Sequence, residues 1–265
     1  MSPRDPRAVD LNADVGELAE RIADGREAAL IRRLSSANIA CGGHAGDRDS
    51  MRTVVALCRS AQVAVGAHPS YPDRQHFGRR RLSLDLPTLI ATLSQQIQAL
   101  AQVASDLGVA LAHVKPHGAL YHAVADDREI AAALVAAIER SGQRLPVVGR
   151  ASSPGLEVIR RAGLPVLHEG FADRRYTAAG LLVERGQPGA VLGDAQAVLA
   201  QALGLVRDGQ ALAGDGSLVV FTQPIDTLCL HSDTPGSEQL AAALRTGLEQ
   251  AGVVIRPPSL RRAGR

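Results

Sequence analysis

The sequence predicts an α/β fold, a TIM-like (β/α) barrel with about seven parallel strands. Short apolar or β-branched runs alternate with Ala/Leu/Arg-rich stretches of 3–4 spacing along nearly the whole chain, the pattern of repeated βα units. Roughly seven or eight such units in about 250 residues suit a closed barrel better than an open, doubly wound sheet. No Gly- or Pro-rich linker divides them. Residues 1–265 therefore read as a single barrel domain, with its core in 8–256 and a tail at 257–265 expected to be disordered.

The strand candidates come in order: AVDLNAD at 8–14, SANIACG at 36–42, VAVGAHP at 63–69, ALAHVKPH at 110–117, LPVVG at 145–149, PVLHEGF at 165–171 and LCLHSD at 228–233. A weaker run, GVVIR, lies at 252–256. Helical spacing marks 84–107, 126–141, 194–205 and 237–251, while GDGSLVVFT at 214–222 reads as an extra hairpin strand.

Composition excludes several function classes. The 29 basic residues face 27 acidic ones, for a net charge of +2, and the chain holds three Tyr, three Phe and no Trp. That balance argues against nucleic acid, and so few aromatics make no stacking platform. No apolar run is long enough for a membrane span, and the opening MSPRDPR carries no apolar leader segment. Cys41, Cys58 and Cys229 are widely spaced with no CxxC pairing. They support neither a disulfide framework nor a zinc ribbon, and a reducing cytoplasm is the expected location. Of the 29 bases, 28 are arginine; the one lysine is Lys115.

Polar residues collect at the ends of the strands. Alternation along a strand puts Asp10, Asn12 and Asp14 on one face, opposite Val9, Leu11 and Ala13. His113, Lys115 and His117 share a face, as do Glu169 and Phe171 with Asp173 following, and Cys229, His231 and Asp233. The second and third runs lead into His44 and His68. Parallel barrel strands are normally near-continuous apolar runs, and ionisable groups within them are costly unless paired or engaged in chemistry. A set at the C-terminal end of nearly every strand reads as one active site, since that face carries the site in this architecture.

The residue types leave several chemistries open. Asp14, His44, His68 and His117 suit a divalent metal. A metal-free site is equally consistent, with Asp14 or Glu17 as general base and Lys115 with histidines stabilising an oxyanion. A Schiff-base lysine is a third option, disfavoured because imidazoles rather than apolar groups flank Lys115. A Walker A loop is excluded, since it requires Lys followed by Ser or Thr and Pro116 follows Lys115. Any ATP site is then non-standard or belongs to a partner.

Six motifs follow in order: VDLNADVGE (9–17), NIACGGHAGD (38–47), VGAHPSYPD (65–73) with FGRR (77–80), HVKPHGALYH (113–122), EGFADRRY (169–176) and LCLHSDTPG (228–236). Together they resemble the LamB/YcsF family, the A subunits of prokaryotic ATP-dependent 5-oxoprolinase, from about residue 8 to 256. The resemblance implies a seven-stranded barrel related to the carbohydrate deacetylase superfamily. It implies a reaction in which ATP (with Mg2+), 5-oxo-L-proline and water give L-glutamate, ADP and phosphate, with B and C subunits as partners. The family's motif residues fall on Asp14, Glu17, Asn38, His44, Asp47, His68, Asp73, Arg79, Lys115, His117, Tyr121, Glu169, Asp173, Arg174, His231 and Asp233. Two positions depart from the usual pattern: Gly43 stands for an aromatic and Ser232 for a glycine.

On this reading Asp14, His44, Lys115 and His117 are the expected catalytic groups. Asp14 and His44 would activate water, and Lys115 with His117 would stabilise an oxyanion or phosphate. Asn12, Glu17, Asn38, His68, Arg79, Tyr121, Glu169, Asp173, Arg174, His231 and Asp233 are the expected substrate-contacting set, with Arg79 or Arg174 pairing the substrate carboxylate. The competing expectations are a non-catalytic binding subunit, or a metal-dependent deacetylase or amidohydrolase that acts alone.

Overall fold

Alternation of apolar and polar residues builds the first strand, β1 (Ala8–Val15), and the chain then repeats the strand–helix unit around a closed ring. The computed structural model describes residues 8–232 and 236–258. Two short helices, α1 (Ala19–Ala23) and α2 (Arg26–Ile31), lead to β2 (Ser36–Ala40) and α3 (Arg48–Ala61). There follow β3 (Ala64–His68), α4 (Leu86–Asp106), β4 (Leu111–Val114), α5 (Gly118–Asp126), α6 (Arg128–Arg140), β5 (Val147–Arg150), α7 (Pro154–Arg161) and β6 (Val166–Phe171). Helix α8 (Ala195–Leu203) runs into a π-turn at Gly204–Asp208 and a hairpin, β7 (Gln210–Leu212) and β8 (Leu218–Val220). The chain closes through β9 (Thr227–Cys229), α9 (Ser237–Gln250) and β10 (Val254–Ile255).

Seven strands pair in parallel in the order β1-β2-β3-β4-β5-β6-β9, and β9 pairs back onto β1, so the sheet is a closed barrel. The expected weak run at 252–256 is only the two-residue β10, which sits beside Ala8 and Val9 outside the ring. The expected extra hairpin is present as the antiparallel pair β7–β8. Residues 259–265 of the expected disordered tail lie outside the described residues.

Capping chemistry fixes where the larger helices start. Asp47 accepts from the Ser50 amide while Ser50 reaches back to the Asp47 amide, a complete capping box for α3. Asp85, Asp127 and Asp194 each accept a first-turn amide of α4, α6 and α8. Helix α4 buries Leu89, Leu93, Ile97 and Leu100 on one stripe, each such side chain worth about 1.5–3 kcal/mol of burial. No helix among the described residues is long and apolar enough to cross a membrane.

The two faces of β1 diverge completely. Val9, Leu11, Ala13 and Val15 pack in the hydrophobic core, whereas Asp10 and Asn12 are buried with polar partners. A barrel interior is ordinarily filled with branched apolar side chains. Here Asp10 accepts from Ser35 (2.7 Å), Ser36 (2.7 Å) and Thr227 (2.6 Å). Asn38 donates to Asn12 Oδ1 (2.7 Å) and Asp14 Oδ1 (2.9 Å), and His113 Nε2 lies 2.6 Å from Asn38 Oδ1. Gly66 makes room for this network, since a Cβ there would sit 2.1 Å from His113 Nε2.

Candidate active site at the C-terminal mouth of the barrel

Lys115, just past β4, reaches into the barrel and is 3% exposed. Its ammonium has four acceptors for three protons: Glu169 Oε1 at 2.9 Å, Asp14 Oδ1 at 3.0 Å, Asn12 Oδ1 at 3.2 Å and Cys229 Sγ at 3.2 Å. Burial opposes its charge, but Asp14, Cys229 and Glu169 outweigh that and hold its pKa well above the ordinary lysine value. Lys115 is thus a fixed cation, and a neutral Schiff-base nucleophile is not what this cradle produces. Burial likewise opposes the charge of Asp14, yet His68 and Lys115 keep its carboxyl well below the usual range. Tyr121 sits beside Glu169; burial, with that carboxylate, keeps its phenol protonated.

Above this floor three imidazoles and one carboxylate converge. Glu17 Oε1 lies 2.8 Å from His44 Nε2, 3.3 Å from His117 Nδ1 and 3.9 Å from His68 Nε2. His117 Nδ1 and His68 Nε2 are 3.0 Å apart. The rings of His44 and His117 stack in parallel at 3.6 Å. The loop carrying Phe77 closes over them: its carbonyl lies 2.9 Å from His117 Nε2. A Cβ on the next residue, Gly78 at φ +64°, would come within 2.9 Å of both His44 and His117. Burial and the neighbouring His68 push His44 and His117 down to about 2, so both rings stay neutral.

These groups form the floor of an open cleft of about 640 Å³. Arg79, Arg81, Arg174 and Arg185 line its upper part, and Phe171 and Leu182 supply apolar wall. Arg174 is buried and donates to the Val183 carbonyl (2.5 Å), which fixes its guanidinium at the rim. His231 lines the cleft, oriented by Asp173, which accepts from its amide (3.0 Å) and lies 2.9 Å from Nδ1. Its ring stacks on Phe171 at 5.8 Å.

The sequence profile of the LamB/YcsF family matches residues 9–262. The chain belongs to the LamB/YcsF family. It is 48% identical to a protein from Chloroflexus aggregans named as the A subunit of 5-oxoprolinase, over 95% of this chain and 99% of that one. A protein of the same name from Methylococcus capsulatus is 45% identical, over 94% and 95%. Among solved structures, the lactam utilization protein from Thermus thermophilus superposes with a TM-score of 0.86 at 40% identity, covering 94% of this chain and 99% of that one. A putative cellobiose-phosphate cleavage protein from Enterococcus faecalis, at 10% identity and TM-score 0.57, shares the barrel fold.

Of the expected site residues, Asn12, Asp14, Glu17, Asn38, His44, His68, Lys115, His117, Tyr121 and Glu169 form one contiguous polar cluster. Arg79, Arg174 and His231 lie higher, on the wall and rim. Asp47 and Asp73 have other roles. Asp47 caps α3, and Asp73 accepts from the His76 amide (3.2 Å) with its Oδ1 2.8 Å from His76 Nδ1. Asp233 lies outside the described residues. For the metal candidates, His44, His68 and His117 converge with Glu17, whose oxygen completes the group. Asp14 instead turns one oxygen to Lys115 (3.0 Å) and the other to His68 (3.3 Å).

The Gly43 departure in this member of the LamB/YcsF family has a packing cause. A Cβ at Gly43 would lie 2.4 Å from both Gln96 Oε1 and Ser70 Oγ. Gln96 spans that space to accept from the Ser70 amide (3.0 Å) and donate to the Ser70 carbonyl (2.8 Å), pinning the segment after His68. Sequence reasoning did not single out Gln96, Phe77 or Arg185. Gln96 sits on a helix far along the chain, and Phe77 acts through its carbonyl, which no side-chain pattern reports.

Proposed function

We propose that this chain is the lactam-opening A subunit of an ATP-dependent 5-oxoprolinase, converting 5-oxo-L-proline to L-glutamate with ATP cleavage in complex with B and C subunits. What supports it above all is the near full-length likeness to relatives of that name, 48% identical over 251 residues in one case. The cleft suits the substrate's chemistry. 5-Oxoproline carries one carboxylate, which the rim arginines Arg79 or Arg174 would hold, and one lactam, which would descend toward Lys115 and His117.

A lactam resists water because its nitrogen feeds electrons into the carbonyl. Transfer of the ATP γ-phosphoryl group to the lactam oxygen makes C5 electrophilic. Water held between Asp14 and His44 then adds to C5 and gives up a proton. Expulsion of the ring nitrogen, which takes up a proton, opens the ring to γ-glutamyl phosphate. A second water cleaves that to L-glutamate and phosphate. Lys115 acts mainly by keeping Asp14 ionised and by holding Asp14 and Glu169 in place, with its positive field under the developing oxyanion.

The test is glutamate release from 5-oxoproline with MgATP, using this chain alone and then with B and C subunits. Release only in the full set, lost in Lys115→Ala, is the expected result. Wild-type turnover in that variant would remove the role given to Lys115. The convergence of Glu17 with three histidines favours one second reading, a metal-dependent amidohydrolase or deacetylase acting alone. That reading requires amide hydrolysis without ATP, abolished by chelation.

A further inference from the structure

The histidine cluster contains a conflict that hydrogen positions expose. His68 Nδ1 lies 2.7 Å from the Lys115 carbonyl oxygen, which only accepts, so Nδ1 bears a proton and, in the neutral ring, Nε2 carries a lone pair. His117 Nε2 lies 2.9 Å from the Phe77 carbonyl oxygen, so there Nε2 bears the proton and Nδ1 carries the lone pair. These two lone-pair nitrogens face each other at 3.0 Å. Glu17 Oε1, another acceptor, is 3.3 Å from His117 Nδ1, and Asp14 Oδ2 is 3.3 Å from His68 Nε2. With His68 neutral these acceptors surround one point, and a positive centre there, a shared proton or a metal ion, resolves the repulsion.

We propose that Glu17, His44, His68 and His117 form a site for one late first-row divalent metal ion of the Zn2+ type. A tetrahedral site with bonds of about 2.0–2.1 Å separates its ligand atoms by about 3.3 Å. The observed separations of 2.8, 3.0, 3.3 and 3.9 Å bracket that value, and all four atoms lie within 4.8 Å of one another. Two ligands already have the outer partners that metal-bound imidazoles use, the Lys115 and Phe77 carbonyls. His44 Nδ1 is buried with no hydrogen-bond partner, so without metal Nε2 bears the proton toward Glu17 Oε1 at 2.8 Å, and an ion binding there moves that proton to Nδ1 and takes the Nε2 lone pair. Three imidazoles to one carboxylate select against Mg2+ and Ca2+, which prefer all-oxygen sites. The site is therefore distinct from whatever holds the magnesium of MgATP. When bound, such an ion supplies a Lewis acid and a water of near-neutral pKa beside Asp14. The inference rests on local geometry and stands whether or not 5-oxoproline is the substrate.

The experiment uses the full chain stripped of metal by chelator dialysis, titrated with Zn2+ by calorimetry and with Co2+ by visible absorption. One ion per chain, a rise in Tm on adding Zn2+, and the intense visible bands of tetrahedral Co2+ are expected. Glu17→Gln and His68→Gln should each weaken Zn2+ binding at least ~100-fold while leaving the metal-free Tm within a few degrees of wild type. Should either variant fail to fold, nitrogen NMR of the wild-type histidines decides, because Zn2+ must shift His68 Nε2 and His117 Nδ1 together. Absence of saturable one-to-one binding, unchanged affinity in both variants, or a proton between the two nitrogens that Zn2+ does not displace would each overturn the proposal.

Discussion

Replacing Lys115 by methionine keeps its length and removes its charge, and the structure sets the scale of the result. The ammonium lies 2.9 Å from Glu169 and 3.0 Å from Asp14. At an effective dielectric of about 20, each contact represents roughly 5 kcal/mol of Coulomb attraction. Much of that offsets the desolvation of three charges, so the net loss expected on breaking a buried network is about 3–5 kcal/mol. The pH dependence distinguishes this cause from simple misfit. In the wild type Asp14 titrates below, and Lys115 above, its unfolded value. The carboxylate's contribution is lost only as pH falls through its depressed folded pKa, and the lysine's only as pH rises through its elevated one. This pair therefore contributes no slope between about pH 5 and 9. In Lys115→Met the Asp14 carboxylate loses this counter-charge, and burial then lifts its folded pKa above the unfolded value. Stability then falls as pH rises from the unfolded value to the new folded one, and the loss is complete above it. Urea unfolding at about pH 5 and pH 8, with a constant m-value, should show a variant recovering part of its deficit at the lower pH. A deficit under about 1 kcal/mol, or one that does not change with pH, would refute this account of the floor. Lys115→Arg should not rescue it, because a planar guanidinium does not fit a four-acceptor cradle built around one nitrogen.

Three other outcomes follow from buried neighbours. Burial outweighs the three hydroxyl bonds to Asp10 and lifts its carboxyl to about 6, so the wild type should lose about 3 kcal/mol as pH rises from roughly 4 to 8, and Asp10→Asn should remove that slope in denaturation curves. Gly43→Ala forces a Cβ to 2.4 Å from Gln96 Oε1 and should cost about 1–3 kcal/mol. Combining it with Gln96→Ala should recover at least ~1 kcal/mol in a double-mutant cycle, and strict additivity would show that the two do not compete for space. Gly66→Ala, with a Cβ 2.1 Å from His113 Nε2, should displace His113 from Asn38 and lower Tm more than any other Gly→Ala change tested in a strand.

Much of the site could be read from strand alternation. Asp10, Asn12 and Asp14 on one face of β1, and Lys115 between two histidines, follow from period-two geometry alone, and the closed barrel then points them inward. The alternation did not show that Lys115 has every proton engaged, which turns it from a donor awaiting substrate into a fixed charge. Nor did it distinguish Asp14 from Glu17 as the carboxylate nearest the histidines. Asp14 lies at the end of β1 and Glu17 in the loop just past it, and only that loop decides which one bends toward His44. Asp47 and Asp73 sit in motifs beside the site histidines, yet their oxygens serve a helix start and a loop.

The sequence by itself determined the architecture and the list of chemically active side chains, because both are written in local periodicity and residue type. Tertiary structure alone decided which atoms meet. The two carbonyls that fix the tautomers of His68 and His117 belong to Lys115 and Phe77, 47 and 40 residues away in the chain. The side chains at those positions are silent about the backbone oxygens. Seven strands had to close into one ring before those oxygens, and the lone pairs they set, came to face a common centre.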